Sequence, residues 1–144
     1  MHILISEFMD AAAVASLAGR HDTHYDAALV DRRADLLARS AGADALIVRN
    51  RTQVNRELLA AAPRLKVVGR LGVGLDNIDV AACAERSIMV IPATGANALA
   101  VAEYVVGTAL LLLRMDPAPR KILFTSSIAG RMARAAAKVM PPRP

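Results

Sequence analysis

Three short stretches of the chain carry residue types suited to holding a small anion: Arg49-Asn50-Arg51-Thr52, Arg70-Leu71-Gly72-Val73-Gly74 and Ala93-Thr94-Gly95-Ala96-Asn97. Guanidinium groups grip carboxylate and phosphate through charge-assisted hydrogen bonds. Small residues let backbone N–H groups approach a ligand closely. Asn97 stands where a helix is expected to begin, and a helix N-terminus favours negative charge. A carboxylate, or a small carboxylate carrying a phosphate, fits this set. Each residue type also has a plainer use. Arg49 and Arg51 fit solvated surface charges, Gly72 and Gly74 fit a tight turn, and Asn97 fits a helix cap.

The rest of the catalytic inventory is sparse. His2, His21 and His24 all come early, and none lies in the three stretches. His24, beside Tyr25, reads as a strand residue. Cys83 falls within an expected helix and reads as a buried thiol. No metal-ligand spacing is present, and no Ser/His/Asp set with its supporting motifs. No catalytic or metal-binding residue is therefore assigned. Gly72-Val73-Gly74 invites a dinucleotide fingerprint, but the third glycine of G-x-G-x-x-G would fall at Asn77.

The elements that must position these stretches follow from the apolar pattern. Ile3–Ser6, Thr23–Tyr25, Ala45–Val48, Leu65–Gly69 and Ile88–Ile91 read as short strands. Helices are expected between them: from Asp10 to Gly19, over Arg32–Ser40 with Asp31 as cap, from Asn55 to about Ala61 before Pro63, and from Asp79 to about Glu85. Asn97 opens a long apolar helix. This alternation predicts an α/β fold, an open parallel sheet with helices on both faces, in flavodoxin-like strand order 2-1-3-4-5. In such a sheet ligands bind beyond the carboxyl ends of the strands, and all three stretches lie there.

The chain has 144 residues, enough for one domain without a disulfide or metal staple, and its single cysteine excludes an internal disulfide. With 18 Lys+Arg against 13 Asp+Glu the net charge is +5. Residues 1–114 hold 12 of each sign, so the whole excess lies in residues 115–144. The body is neutral, and only 3% of residues are aromatic, which argues against nucleic acid as a partner. The start lacks the basic end and long apolar core of a secretory signal. Ala98–Leu113 contains Glu103 and would form a helix about 24 Å long, short of the roughly 30 Å hydrocarbon layer. No membrane association is expected, and the cytoplasm is the default location.

The residues carry a resemblance. Val68-Gly69-Arg70-Leu71-Gly72-Val73-Gly74-Leu75-Asp76-Asn77-Ile78-Asp79 resembles the glycine turn of the D-isomer-specific 2-hydroxyacid dehydrogenases, phosphoglycerate dehydrogenases among them. Thr94–Glu103 resembles that family's T-G-x-N-x-x-x-V-A-E motif, and Ile47–Thr52 is similar to its first loop. The resemblance covers about residues 1–114. It implies an NAD-dependent (or NADP-dependent) oxidoreductase, with this stretch as an incomplete substrate-binding domain. Arg49, Arg70 and the turn Gly72, Val73, Gly74 would then hold the substrate's carboxylate or phosphate. The helix from Asn97 through Val101 would run beside the nicotinamide. A departure stands at Ser87, where the family usually has glycine, and Pro92-Ala93-Thr94 differs slightly from the usual loop.

Nothing in residues 115–144 supplies the family's dinucleotide fingerprint or its catalytic Arg, Glu and His. The expectation is therefore a truncated chain, inactive alone and binding no cofactor tightly. The alternative is a non-catalytic module for small carboxylates. Lys121–Ile128 could add a strand. Ile122–Gly130 resembles the serine strand of short-chain dehydrogenases, without the Tyr-x-x-x-Lys pair, and a frame change, truncation or fusion scar is the favoured account. The last residues are expected to be poorly ordered. With the second half of the family's architecture missing, the apolar helix should expose surface and favour self-association.

Overall fold

The computed structural model describes residues 1–96 and 98–115. The chain divides into two units, Met1–Thr94 and Gly95 onward. The first unit is a five-stranded parallel sheet in the order β2-β1-β3-β4-β5, as the strand pattern predicts. Its strands are β1 (His2–Ile5), β2 (Asp22–Tyr25), β3 (Ala45–Val48), β4 (Val67–Arg70) and β5 (Met89–Pro92). Its helices are α1 (Ala11–Ala18), α2 (Arg33–Ser40), α3 (Arg56–Ala61) and α4 (Val80–Glu85). The second unit holds α5 (Ala98–Met115). Asn97 and the possible strand and serine motif of residues 121–130 lie outside the described residues, as does the rest of the basic tail.

Alternation along the strands sends side chains to two faces. On one, Leu4, Leu46, Val48 and Val68 pack with Leu36 of α2, Leu58 and Leu59 of α3 and Cys83 of α4, all essentially inaccessible. Each such leucine contributes about 1.5–3 kcal/mol by leaving water. On the other face Ile3, Ile5 and Ala45 pack with Val14 and Leu17 of α1.

Three of the helix starts are read correctly from the caps. Asp10 accepts from Ala12 and Ala13, Asn55 from Leu58 and Asp79 from Ala82. The start of α2 is not. Asp31 does not cap it; a 3₁₀ turn over Ala27–Asp31, capped by Asp26, comes first, and Arg32 occupies the cap position without a side-chain bond. Asp31 is committed to Arg51 instead. Among the described residues no helix is long and apolar enough to cross a membrane.

Candidate functional site

The carboxyl ends of β3 and β4 lie side by side, with Val48 paired to Arg70 in register. Leu71 N–H donates to Val48 O at 2.8 Å, carrying the pairing into the loops. Ala93 N–H, just past β5, donates to Arg70 O and Gly72 O, each at 3.0 Å. One sheet edge therefore gathers the Arg49 loop, the Gly72–Gly74 turn and Ala93. Val101 lies in α5, 44% exposed, in the second unit.

The Arg70 side chain folds back across its own turn. A Cβ on Gly72 would sit 1.6 Å from Arg70 Nη1, so only glycine leaves room for the guanidinium there. Gly72 also has φ of +155°, a conformation side-chain-bearing residues avoid. A Cβ on Gly74 would lie 2.9 Å from Asp76 Oδ2. Arg70 Nε is buried and has no hydrogen-bond partner among the described residues. Within the turn, Gly72 N–H is used by Arg70 O at 2.8 Å, and Val73 at the tip is 45% exposed.

The loop after β3 is built around a residue far from it in sequence. Glu7, one residue past Ser6 at the end of β1, is buried. Its Oε1 accepts from the backbone N–H of Arg49 and of Thr52, both at 2.9 Å. Its Oε2 accepts from Asn50 at 3.2 Å and Arg51 at 3.1 Å. Burial pushes the carboxyl up, but the backbone bonds from Thr52, Arg49 and Arg51 outweigh it and leave the pKa below its ordinary value. The loop's amides are thus filled from within. What the loop offers a ligand is side chains, not N–H groups.

Two further bonds hold the loop. Ser6 Oγ and Thr52 Oγ1 lie 3.0 Å apart in the interior, and Asn77 Nδ2 donates to Thr52 O at 2.8 Å. Of the two loop arginines, Arg51 pairs with Asp31, while Arg49 is exposed and has no ion pair among the described residues. A recess of about 240 Å³ behind the loop is lined by Arg33, Arg51, Thr52 and Asn55. Arg33 is bound to Glu57 there, so both guanidiniums of the recess already face a carboxylate. Neither Arg49 nor Arg70 has an ion pair among the described residues.

Cys83 is a buried thiol, as expected from its helix, and burial pushes its pKa up. Among the described residues no group of three or more His, Cys, Asp or Glu could hold a metal. His2 opens β1 at the opposite end of the sheet from the loops, and His24 lies in the edge strand β2. Glu7 was detectable only as an acid closing an otherwise apolar strand.

A dinucleotide's pyrophosphate does not fit the glycine turn. Arg70 fills the space over Gly72, and the helix that follows, α4, already has the Asp79 carboxylate on its first-turn N–H groups.

Comparison with known proteins places these features in context. Residues 3–140 match the family model for the D-isomer specific 2-hydroxyacid dehydrogenase catalytic domain, running past residue 114, where the motif resemblance stops. The chain is 62% identical over 112 residues to (S)-sulfolactate dehydrogenase of Chromohalobacter salexigens, a match covering 78% of this chain and 36% of that protein. It is 41% identical over 118 residues to D-3-phosphoglycerate dehydrogenase of Mycobacterium tuberculosis, covering 81% of this chain and 22% of the relative. Among solved structures, the PH0520 protein of Pyrococcus horikoshii matches at TM-score 0.66 and 27% identity, over 94% of this chain and 37% of that one. NAD+-bound 3-phosphoglycerate dehydrogenase of Entamoeba histolytica shares the fold at TM-score 0.64 and 22% identity, over 96% and 51%. The chain thus spans about a third or less of the length of these curated relatives.

Proposed function

Because the chain belongs to the D-isomer specific 2-hydroxyacid dehydrogenase family, we propose that residues 1–114 are the substrate-binding part of an NAD-dependent oxidoreductase acting on a small 2-hydroxy carboxylate. The observation that carries this reading is the pairing of the β3 and β4 ends, which sets the Arg49 loop beside Arg70 and its glycine turn. Arg49 and Arg70 supply two guanidiniums, and the tip of the turn at Val73 and Gly74 supplies backbone N–H groups. Two cations suit an acid with a second anionic group. Sulfolactate and 3-phosphoglycerate, the acids in the names of two relatives, both have one. In this reading the reaction would need a hydride acceptor for the hydroxyl-bearing carbon, the chemistry a bound NAD would supply. The glycine turn does not fit a dinucleotide's pyrophosphate, and among the described residues no histidine lies at the Arg49 and Arg70 edge to take the hydroxyl proton. This stretch is therefore assigned binding and orientation of the acid, not the chemical step.

The test is calorimetry of the 144-residue chain with (S)-sulfolactate and with D-3-phosphoglycerate, alongside NADH formation under the same conditions. We expect binding at about millimolar affinity, since Arg49 and the tip of the turn at Val73 are exposed to water, and no turnover. Arg70→Ala should abolish the binding heat. Unchanged binding in Arg70→Ala overturns the site, and NADH formation by the chain overturns the assignment of binding alone. The reading extends to self-association through α5, whose Leu99, Tyr104 and Leu111 are 70%, 75% and 63% exposed. Light scattering should then show a mass that rises with concentration and falls back in Leu99→Gln/Leu111→Gln.

A further inference from the structure

We propose that Glu7 is a positioning residue for substrate binding, a built-in anion that organises the Arg49–Thr52 loop and keeps its backbone amides from the substrate. The inference rests on the reading of the Arg49 and Arg70 edge given above. Its own ground is the geometry of one side chain. A buried carboxylate takes four consecutive backbone N–H groups, two on each oxygen, across 42 to 45 residues of sequence. Successive N–H groups turned toward one point form an anion-binding concavity. Here that concavity is filled from within the protein.

Two consequences follow for the site. First, the loop's path is set by a residue that touches no ligand. Arg49 and Arg51 must leave the ring of amides outward, and Arg49 is exposed at the edge beside Leu71. Second, the substrate's anionic groups have no claim on the β3 amides, because Glu7 already accepts from all four. They are left to the guanidiniums and to the turn at Val73 and Gly74. Glu7 thereby decides which of two neighbouring loops contributes main chain to recognition and which contributes side chain. Thr52, held by Ser6 and Asn77 as well as by Glu7, closes the loop so that it cannot drift when the amides are occupied.

Glutamine in place of Glu7 keeps the shape but turns an NH₂ group toward N–H donors, so one side of the ring is left without an acceptor. Glu7→Gln should weaken binding of (S)-sulfolactate and D-3-phosphoglycerate about tenfold, the scale of a lost hydrogen bond to a charged group. The amide NMR signals of residues 49–52 should shift in the same variant. In Glu7→Ala, sodium formate should restore both the signals and the affinity in a saturable manner, while sodium chloride at equal ionic strength should not. Ile88→Val, a mild core deletion away from the loop, serves as control and should lower thermal stability without changing affinity. If Glu7→Ala does not fold, Glu7→Gln and the shorter Glu7→Asp carry the comparison, with Glu7→Asp nearer to wild type. Wild-type binding retained at full strength in Glu7→Gln overturns this inference and leaves the site standing. A wild-type chain that binds neither acid overturns the site itself, and the inference with it.

Discussion

Glu7 makes its contribution to stability only while ionised, which gives it a pH signature. Its carboxyl lies below the ordinary value in the folded chain. The stabilisation is therefore complete above the unfolded value of about 4.3. It is lost as pH falls through the lower folded value. Urea unfolding of Glu7→Gln should show a loss of about 2 kcal/mol at neutral pH, because buried N–H groups lose an acceptor. The gap from wild type should narrow on acidification. A gap that stays constant down to pH 3 would contradict the assignment. The same scale holds Gly72. Gly72→Ala puts a methyl group where Arg70 Nη1 lies and asks alanine to adopt φ of +155°. We expect about 1 kcal/mol of destabilisation and a loss of carboxylate binding like that of Arg70→Ala, both measurable on one sample. The turn at Gly72 was legible in the sequence because its residues are neighbours in it. Glu7 was not, since the amides it serves stand more than forty residues away and backbone groups leave no mark in sequence.

Strands and helix caps were the most legible features at the scale of elements. A strand buried on both faces must be continuously apolar, and Ala45–Val48 is such a run with its ends in place. The α2 start was less readable because Asp26, Asp31 and Asp35 all precede or open the segment, and local competition settles which one caps. The end of α4 shows a second kind of information. Ser87 has φ of +57°, Ser87 N–H donates to Ala84 O at 3.0 Å, and Ile88 N–H donates to Cys83 O at 2.9 Å. These bonds close a helix through a left-handed residue, a position where glycine is favoured. Ser87 is thus a point of backbone strain. Ser87→Gly should stabilise the first unit by about 1 kcal/mol and raise its Tm by about 4–8 °C, as read by circular dichroism. An unchanged or lower Tm would show that the helix end is held by its packing instead.

At the scale of the whole molecule, apolar alternation predicts the parallel sheet with right-handed crossovers, and the sheet has the expected flavodoxin-like order. The family was legible only through the combination of three motifs in sequence, since the sheet alone serves many chemistries. One further property follows from the place of β1, which sits between β2 and β3 inside the sheet. Its carboxyl end is fastened by Glu7. Its amino end is fastened by Asp44, whose buried carboxylate accepts from His2 N–H at 2.9 Å. That backbone bond is the main reason the Asp44 carboxyl, too, lies below its usual value. Acid would then unclasp β1 at both ends, each carboxylate letting go below its ordinary range. Such a sheet should begin to come apart at β1, and its loss of structure on acidification should be steeper than one titrating group allows.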